Sequence, residues 1–332
     1  MSGHDIITIG ASAGGVEALI RLVEGLPFDL PAALFVVLHF PPTSTSYLPE
    51  ILQRAGTLPA AQARDLEPIV PGRIYVALPD RHLIVERERM RLTWGPKENR
   101  HRPAVDPLFR SAAIAYGPRV VGVVLSGMDG DGTAGLRAIA QRGGVTVVQD
   151  PADAIFPSMP ESALAYVEVD YRLPARALGG LLAELAHSPV PREDAYPVPE
   201  MLRLEHRQMM GELETFDMNQ FGRLTSLTCP ECSGPIWELH EGELVRYRCR
   251  VGHTFLTDDM IEARSEQIEQ QLWAAINQLE ENEALALRLA ENARSRGYAR
   301  AAASFEEKAT AARERAALLR RALLREDAGE TA

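Results

Sequence analysis

Between about residues 5 and 187, short apolar runs alternate with longer stretches of helical periodicity. Ile6 to Ile9, Leu34 to Leu38, Arg73 to Ala77, Val120 to Leu125 and Val145 to Val148 read as strands. Val16 to Leu26, Tyr47 to Arg54, Val105 to Tyr116, Leu136 to Gln141 and Leu173 to His187 read as helices. Strands without a polar face, separated by helices, predict a doubly wound α/β fold, a mostly parallel sheet with helices on both faces. Leu83 to Val85 and Met90 to Trp94 are close enough to form an antiparallel hairpin, expected as an extension of that sheet.

The pattern changes after His187. Ser188 to Pro199 carries four prolines, which remove backbone donors and fix φ, so an extended linker is expected over 188–226. Met201 to Met218 reads as a short helix or a continued tether. Residues 227–258 hold a compact Cys/His segment. Residues 259–326 are rich in Ala, Glu, Leu and Arg and predict a helical hairpin broken near Ser295-Arg296-Gly297. Ile268, Leu272, Ala275, Leu279, Asn282, Ala286 and Leu289 fall at near-heptad spacing. That seam suits dimerisation or docking on long partner helices, against the plainer reading of packing on the Cys/His module. The chain thus divides into 1–187, 188–226, 227–258 and 259–326.

Composition narrows the function classes. At 46% hydrophobic and 24% charged, the 332-residue chain has ample material for a core. Its net charge of -11 argues against a nucleic-acid partner. No apolar run reaches the roughly 18 residues of a membrane span, and MSGHDIITIG lacks the features of a secretory signal. A cytoplasmic protein without membrane insertion is expected. The three cysteines cluster between Cys229 and Cys249, which argues against a disulfide framework.

Candidate chemistry lies where strands end. The first strand runs into Gly10-Ala11-Ser12-Ala13-Gly14-Gly15 and then a helix. Ser12 is therefore placed at a strand's carboxyl end, the ligand edge of open α/β sheets, beside free N–H groups of a helix start. A phosphate-binding loop or a plain turn is the alternative, although the run departs from G-x-G-x-x-G and no acidic residue ends the second strand. His39 ends it instead, on the same edge, either as a base for Ser12 or as a backbone-satisfied histidine. The strand from Val120 ends in Ser126-Gly127-Met128-Asp129-Gly130-Asp131-Gly132. This turn offers two carboxylates, either of which could orient His39; a plain Asp/Gly turn or a metal loop is the alternative. Nucleophile, base and acid then share one sheet edge, the requirement of an esterase-type triad.

Four motifs in register, G-A-S-A-G-G, L-H-F, H-R-P-A-V-D-P-L-F and L-S-G-M-D-G-D-G, resemble the catalytic domain of the CheB family of protein-glutamate methylesterases. The resemblance covers about residues 5 to 185. It implies Ser12 as nucleophile, His39 as base and Asp131 as the triad acid. Asp129 and Gly130 depart from the glycine and asparagine usual in the family. Ala13 and Met128 match positions lining the family's site, Met128 as an oxyanion donor. Arg102 is expected either toward the same cleft or in a surface turn. The resemblance further implies hydrolysis of glutamyl methyl esters on chemoreceptors with release of methanol. In some members, glutamine deamidation follows the same acyl chemistry. Typical members carry an N-terminal receiver domain; here the first strand starts within a few residues of Met1, so no receiver domain is expected ahead of it. No cofactor is expected for catalysis. The competing readings are a catalytically silent signalling adaptor and a nucleotide-binding regulator.

Cys229-Pro230-Glu231-Cys232 is a C-x-x-C knuckle, followed after 16 residues by Cys249 and then His253. Three thiolates and an imidazole at this spacing predict a structural zinc site of ribbon type. A segment this short would draw its folding energy from the metal. His240 is a spare candidate ligand.

Overall fold

A computed structural model describes residues 3–213 and 215–326. The chain forms two compact units, Met1–Met260 and Ile261–Ala332.

The first unit is built on a seven-stranded sheet: β1 (Ile6–Ala11), β2 (Ala33–Leu38), β3 (Ala60–Gln62), β4 (Arg73–Val76), β7 (Val120–Val124), β8 (Val145–Gln149) and β9 (Tyr171–Leu173). Its order is β3-β4-β2-β1-β7-β8-β9, and every pairing is parallel. Both faces of β1 and β2 are buried because helices cover the sheet on each side. One layer holds α1 (Gly15–Glu24), α2 (Leu48–Ala55) and α6 (Ala175–His187). The other holds α3 (Val105–Tyr116), α4 (Thr133–Gln141) and α5 (Ser158–Tyr166).

The doubly wound expectation therefore holds, with two differences. The hairpin β5 (His82–Glu86) and β6 (Arg89–Thr93) is a separate two-stranded sheet, not an extension of the main one. Its apolar side, Leu83, Val85 and Met90, joins the α3 side of the core, and Val85 N–H donates to Ser111 Oγ on α3 at 3.0 Å. The edge beyond β4 belongs instead to β3, three residues without a β-branched signal.

Segment 188–226, expected as an extended linker, lies on the first unit and contains α7 (Glu200–Met209). Leu202 enters the α3-side core. Buried Glu205 receives Arg246 at 3.1 Å, Arg248 at 3.5 Å and Arg110 at 3.7 Å. Burial alone would raise its pKa, but the guanidiniums hold it down to about 2. The prolines bar sheet pairing but not side-chain packing. Four antiparallel strands follow, β10 (Gly222–Thr228), β11 (Pro235–Glu241), β12 (Leu244–Cys249) and β13 (Thr254–Leu256).

α8 (Thr257–Ser295) leads into the second unit, where it pairs with α9 (Ala299–Glu326). The seam runs through Leu272, Ile276, Leu279, Ala286, Ala290 and Ala293. Expected seam residues Ile268 and Leu289 are instead exposed. The heptad register steps four residues from Leu272 and Ala286, where three were expected, so that Ile276 and Ala290 are buried in place of Ala275 and Leu289.

Candidate active site

The parallel sheet sets three side chains side by side. Ala11 is in register with Leu38, so Ser12 and His39 leave neighbouring strands together. On the other side, β7 continues into the 125–132 loop, where Ser126 accepts a hydrogen bond from Ser12 N–H at 2.9 Å. This is the switch point of the sheet, where β1 has β2 on one side and β7 on the other. Gly14 turns the chain into α1 at φ 69°, and a Cβ there would lie 2.7 Å from Ser126 Oγ, so glycine alone fits.

His39 bridges the cluster. Its Nδ1 lies 3.1 Å from Ser12 Oγ and its Nε2 2.9 Å from Asp131 Oδ2. Ser12 remains partly exposed, whereas the His39 side chain is 5% exposed and Asp131 is fully buried. Asp131 also accepts from Val105 N–H at 2.6 Å, Asp106 N–H at 3.2 Å, Gly132 N–H at 3.0 Å and Asn99 Nδ2 at 3.0 Å. Two of those donors are the first residues of α3, whose N-terminus favours a negative charge. Of the two carboxylates offered by the turn, Asp131 is thus the one on the far nitrogen from Ser12.

Asp129 lies on the serine side. Its Oδ2 is 3.4 Å from His39 Nδ1 and 2.6 Å from His101 Nε2, and the two imidazoles stack with centroids 3.6 Å apart. Burial would by itself lower the His39 pKa, but hydrogen bonds to Asp129 and Asp131 raise it to about 10. Burial would likewise raise Asp129, yet His101 and His39 hold it far below the usual carboxylate range. Burial and the neighbouring Asp131 charge push the Asp106 carboxyl well above the usual carboxylate range.

The sign of the consequence is clear. Only neutral imidazole accepts the serine proton, so ester hydrolysis should rise with pH toward about 10. Asp129→Asn removes one anionic partner and should move the acid limb of kcat/KM down by about 1–2 pH units, increasing the rate at pH 7. A pH–rate profile with a small ester checks this; an unmoved limb would show that Asp129 does not charge His39. The same raised pKa adds stability below about 6.5 that is lost as pH climbs through about 10.

The remaining sequence-predicted positions separate. Ala13 adjoins Ser12. Met128 follows Gly127, where a Cβ would lie 2.9 Å from Ser12 Cβ, and Met128 is 64% exposed. Neither backbone N–H has a hydrogen-bond partner among the described residues. Arg102 is held elsewhere: it forks onto Asp80 Oδ1 at 2.9 and 2.7 Å and donates to Gly95 O at 3.0 Å. Asp80 and Gly95 together take three of its five N–H groups, an arrangement that suits the turn reading. Asn99, His101 and Asp106 were not singled out as site residues; His101 and Asp106 both lie within the H-R-P-A-V-D-P-L-F motif, whereas Asn99 lies outside it.

Two groups among the described residues bring metal-ligating atoms within 4.8 Å of one another. The first is Cys229, Cys232, Cys249 and His253. His253 Nδ1 lies 3.7 Å from Cys229 Sγ and 3.5 Å from Cys249 Sγ, and Cys232 Sγ lies 3.7 Å from Cys249 Sγ. The edges of a tetrahedral zinc site come to about 3.8 Å between sulfurs and about 3.6 Å from sulfur to nitrogen. The donor set fits. His240 is exposed and engages Glu238 instead. The second group is His39, His101 and Asp129; a cation there would take the nitrogen that faces Ser12, so the two uses of His39 exclude each other.

Fold and site together define a parallel-sheet α/β protein with Ser12, His39 and Asp131 linked in one hydrogen-bonded chain at its switch point. The chain belongs to the CheB methylesterase family, whose description matches residues 7–182. It is 39% identical over 185 residues to protein-glutamate methylesterase/protein-glutamine glutaminase 4 of Anaeromyxobacter dehalogenans (strain 2CP-C), covering 54% of this chain and 52% of that protein. Over 174 residues it is 40% identical to the protein-glutamate methylesterase/protein-glutamine glutaminase of Pectobacterium atrosepticum, covering 51% and 49%. The crystal structure of the Thermotoga maritima CheB methylesterase catalytic domain superposes with TM-score 0.53 at 34% identity, covering 56% of this chain and all of that one. The chain spans about half the length of the curated relatives it matches. Among the described residues, no helix is long and apolar enough to cross a membrane.

Proposed function

We propose that the chain is a serine hydrolase acting on glutamyl methyl esters of methyl-accepting chemoreceptors or receptor-like signalling proteins. The observation that carries this reading is the continuous contact Ser12–His39–Asp131 within a domain of the CheB methylesterase family. Ser12 Oγ attacks the γ-carbonyl as His39 Nδ1 takes its proton, and Asp131 steadies the resulting imidazolium. The N–H groups of Ala13 and Met128 face the negative oxygen of the tetrahedral intermediate. Methanol departs with the proton from His39. Water then adds to the acyl-serine, with His39 again as base, and glutamate is released. With glutamine as substrate ammonia replaces methanol as leaving group, in keeping with the second activity in the relatives' names.

The Cys3His set is proposed to hold one structural zinc. Four protein ligands leave no open position, so the metal supplies folding energy and no step of the hydrolysis. For the helical pair the proposal is self-association, favoured by the exposed Ile268, Leu285 and Leu289 outside its own seam.

Incubating the full chain with methylated receptor fragments should release methanol, and a fluorophosphonate should label Ser12. No methanol and no label would favour the silent adaptor. Light scattering checks self-association, and a monomer at high micromolar concentration would exclude it.

A further inference from the structure

Asn99 holds an unusual position for an unmatched residue of the H-R-P region. It is 1% exposed and adopts a left-handed φ of 47°. Such a conformation is uncommon for a non-glycine residue, although asparagine adopts it more readily than most, and its surroundings hold it there. Here the surroundings come from two sides. Toward the site, Asn99 Nδ2 donates to Asp131 Oδ1 and Asp106 Oδ2, both at 3.0 Å. Toward the antiparallel module, Asn99 N–H donates to Thr254 O at 2.7 Å, and Leu256 N–H donates to Asn99 Oδ1 at 3.2 Å. The amide is thus fully used, with one end on the relay and the other on β13.

A second contact links the same strand to the same loop. Leu256, Leu244 and Ala134 form a small apolar cluster, and a Cβ on Gly130 would lie 2.3 Å from Leu256 Cδ1. Gly130 separates Asp129 from Asp131, so β13 lies directly against the turn that carries both carboxylates. The strand in turn begins at the proposed metal knuckle. His253 immediately precedes Thr254, and Cys249 N–H donates to His253 O at 2.9 Å.

We infer that the Cys/His module is part of the scaffold of the hydrolytic site, with Asn99 as the positioning residue through which metal loading at Cys229, Cys232, Cys249 and His253 fixes Asp131. The inference rests on the esterase and zinc readings above. Metal binding gathers the knuckle and anchors the start of β13. The strand then offers Thr254 O and Leu256 N–H to Asn99, whose Nδ2 sets the rotamer of Asp131. Losing the metal frees β13 and with it the amide, and Asp131 no longer meets His39 Nε2 in a single orientation.

The test uses the full chain with p-nitrophenyl acetate as substrate, zinc content measured by elemental analysis, and thermal melting as a check on folding. Stripping zinc with a chelator under reducing conditions should lower kcat by about tenfold or more with KM little changed, and added zinc should restore it. Cys232→Ser, at an exposed ligand, should show the same loss without rescue. Asn99→Ala should keep its zinc yet lose a similar factor in kcat, with the acid limb of the pH profile displaced downward as His39 loses a fixed Asp131. Stripping zinc from Asn99→Ala should then cost less than about twofold more, because the two changes break one connection. If the chain loses its zinc with kcat and acid limb unchanged, the coupling is overturned while the metal site stands. Equal further loss on stripping Asn99→Ala also overturns it. A chain that takes up no zinc overturns the metal reading, and an unaltered kcat and acid limb in Asn99→Ala then overturns the positioning role. Failure of a fluorophosphonate to label Ser12 in the unmodified protein would instead count against the esterase reading.

Discussion

Ser12→Ala should reduce hydrolysis of a glutamyl methyl ester by about 10⁶-fold, the scale seen when a triad nucleophile is removed and only a polarising site remains. Among the described residues the hydroxyl has one side-chain hydrogen-bond partner, His39 Nδ1 at 3.1 Å, and it lies at a partly exposed position. Its loss should therefore cost no more than about 1 kcal/mol of stability. Turnover and folding are thereby separated. Methanol release measured beside a thermal melt checks the prediction, and a variant that melts normally yet keeps its turnover would remove Ser12 from the chemistry.

Asp131→Asn should be nearly as damaging, for a different reason. Five donors converge on this carboxylate: Asn99 Nδ2 and the N–H groups of Asp106 and Gly132 on Oδ1, with His39 Nε2 and Val105 N–H on Oδ2. An amide has only one acceptor oxygen, so either orientation of Asn points an NH2 at groups that are themselves donors. If the NH2 faces His39, the ring must accept at Nε2 and carry its proton on Nδ1, the nitrogen that should receive the proton from Ser12. That wrong tautomer lowers kcat by about 10⁴-fold in a comparable relay. Asp129 cannot substitute, because it lies beside Nδ1. Leaving buried donors unmatched should also cost about 3 kcal/mol of stability. A kcat close to that of the unmodified chain, or an unchanged melt, would contradict this picture of the site.

Much of this architecture was legible from local pattern. β1, β2, β7 and β8 are buried on both faces and so read as unbroken apolar runs, and in a parallel sheet their carboxyl ends must share an edge. That reasoning alone gathered Ser12, His39 and the 129–131 turn. Spacing alone gathered Cys229, Cys232, Cys249 and His253, whose ligand atoms lie within 4.8 Å of one another. What escaped was set by contacts distant in sequence. Asn99 matters because of Thr254 and Leu256, about 155 residues away, and nothing beside it marks that role. The 188–226 segment looks like a tether by its prolines, yet Glu205 is fixed by three arginines from α3 and β12. Arg102 sat within a recognised motif, but Asp80, from a preceding turn, decides its orientation. The helical seam kept its period and shifted its phase, since Ala290 and Leu289 differ by one position and only tight helix approach favours the smaller residue.

The placement of β13 against the 125–132 turn has a bearing on how the protein comes into being. A ribosome adds roughly 5–20 residues per second, so the hydroxyl and the imidazole are made several seconds before the carboxylate, and the strand that braces the carboxylate later still. Throughout that interval the nascent polypeptide carries a nucleophile without its finished relay. On the coupling inferred above, the site is complete only once the segment around Leu256 has left the exit tunnel and settled against the 125–132 turn.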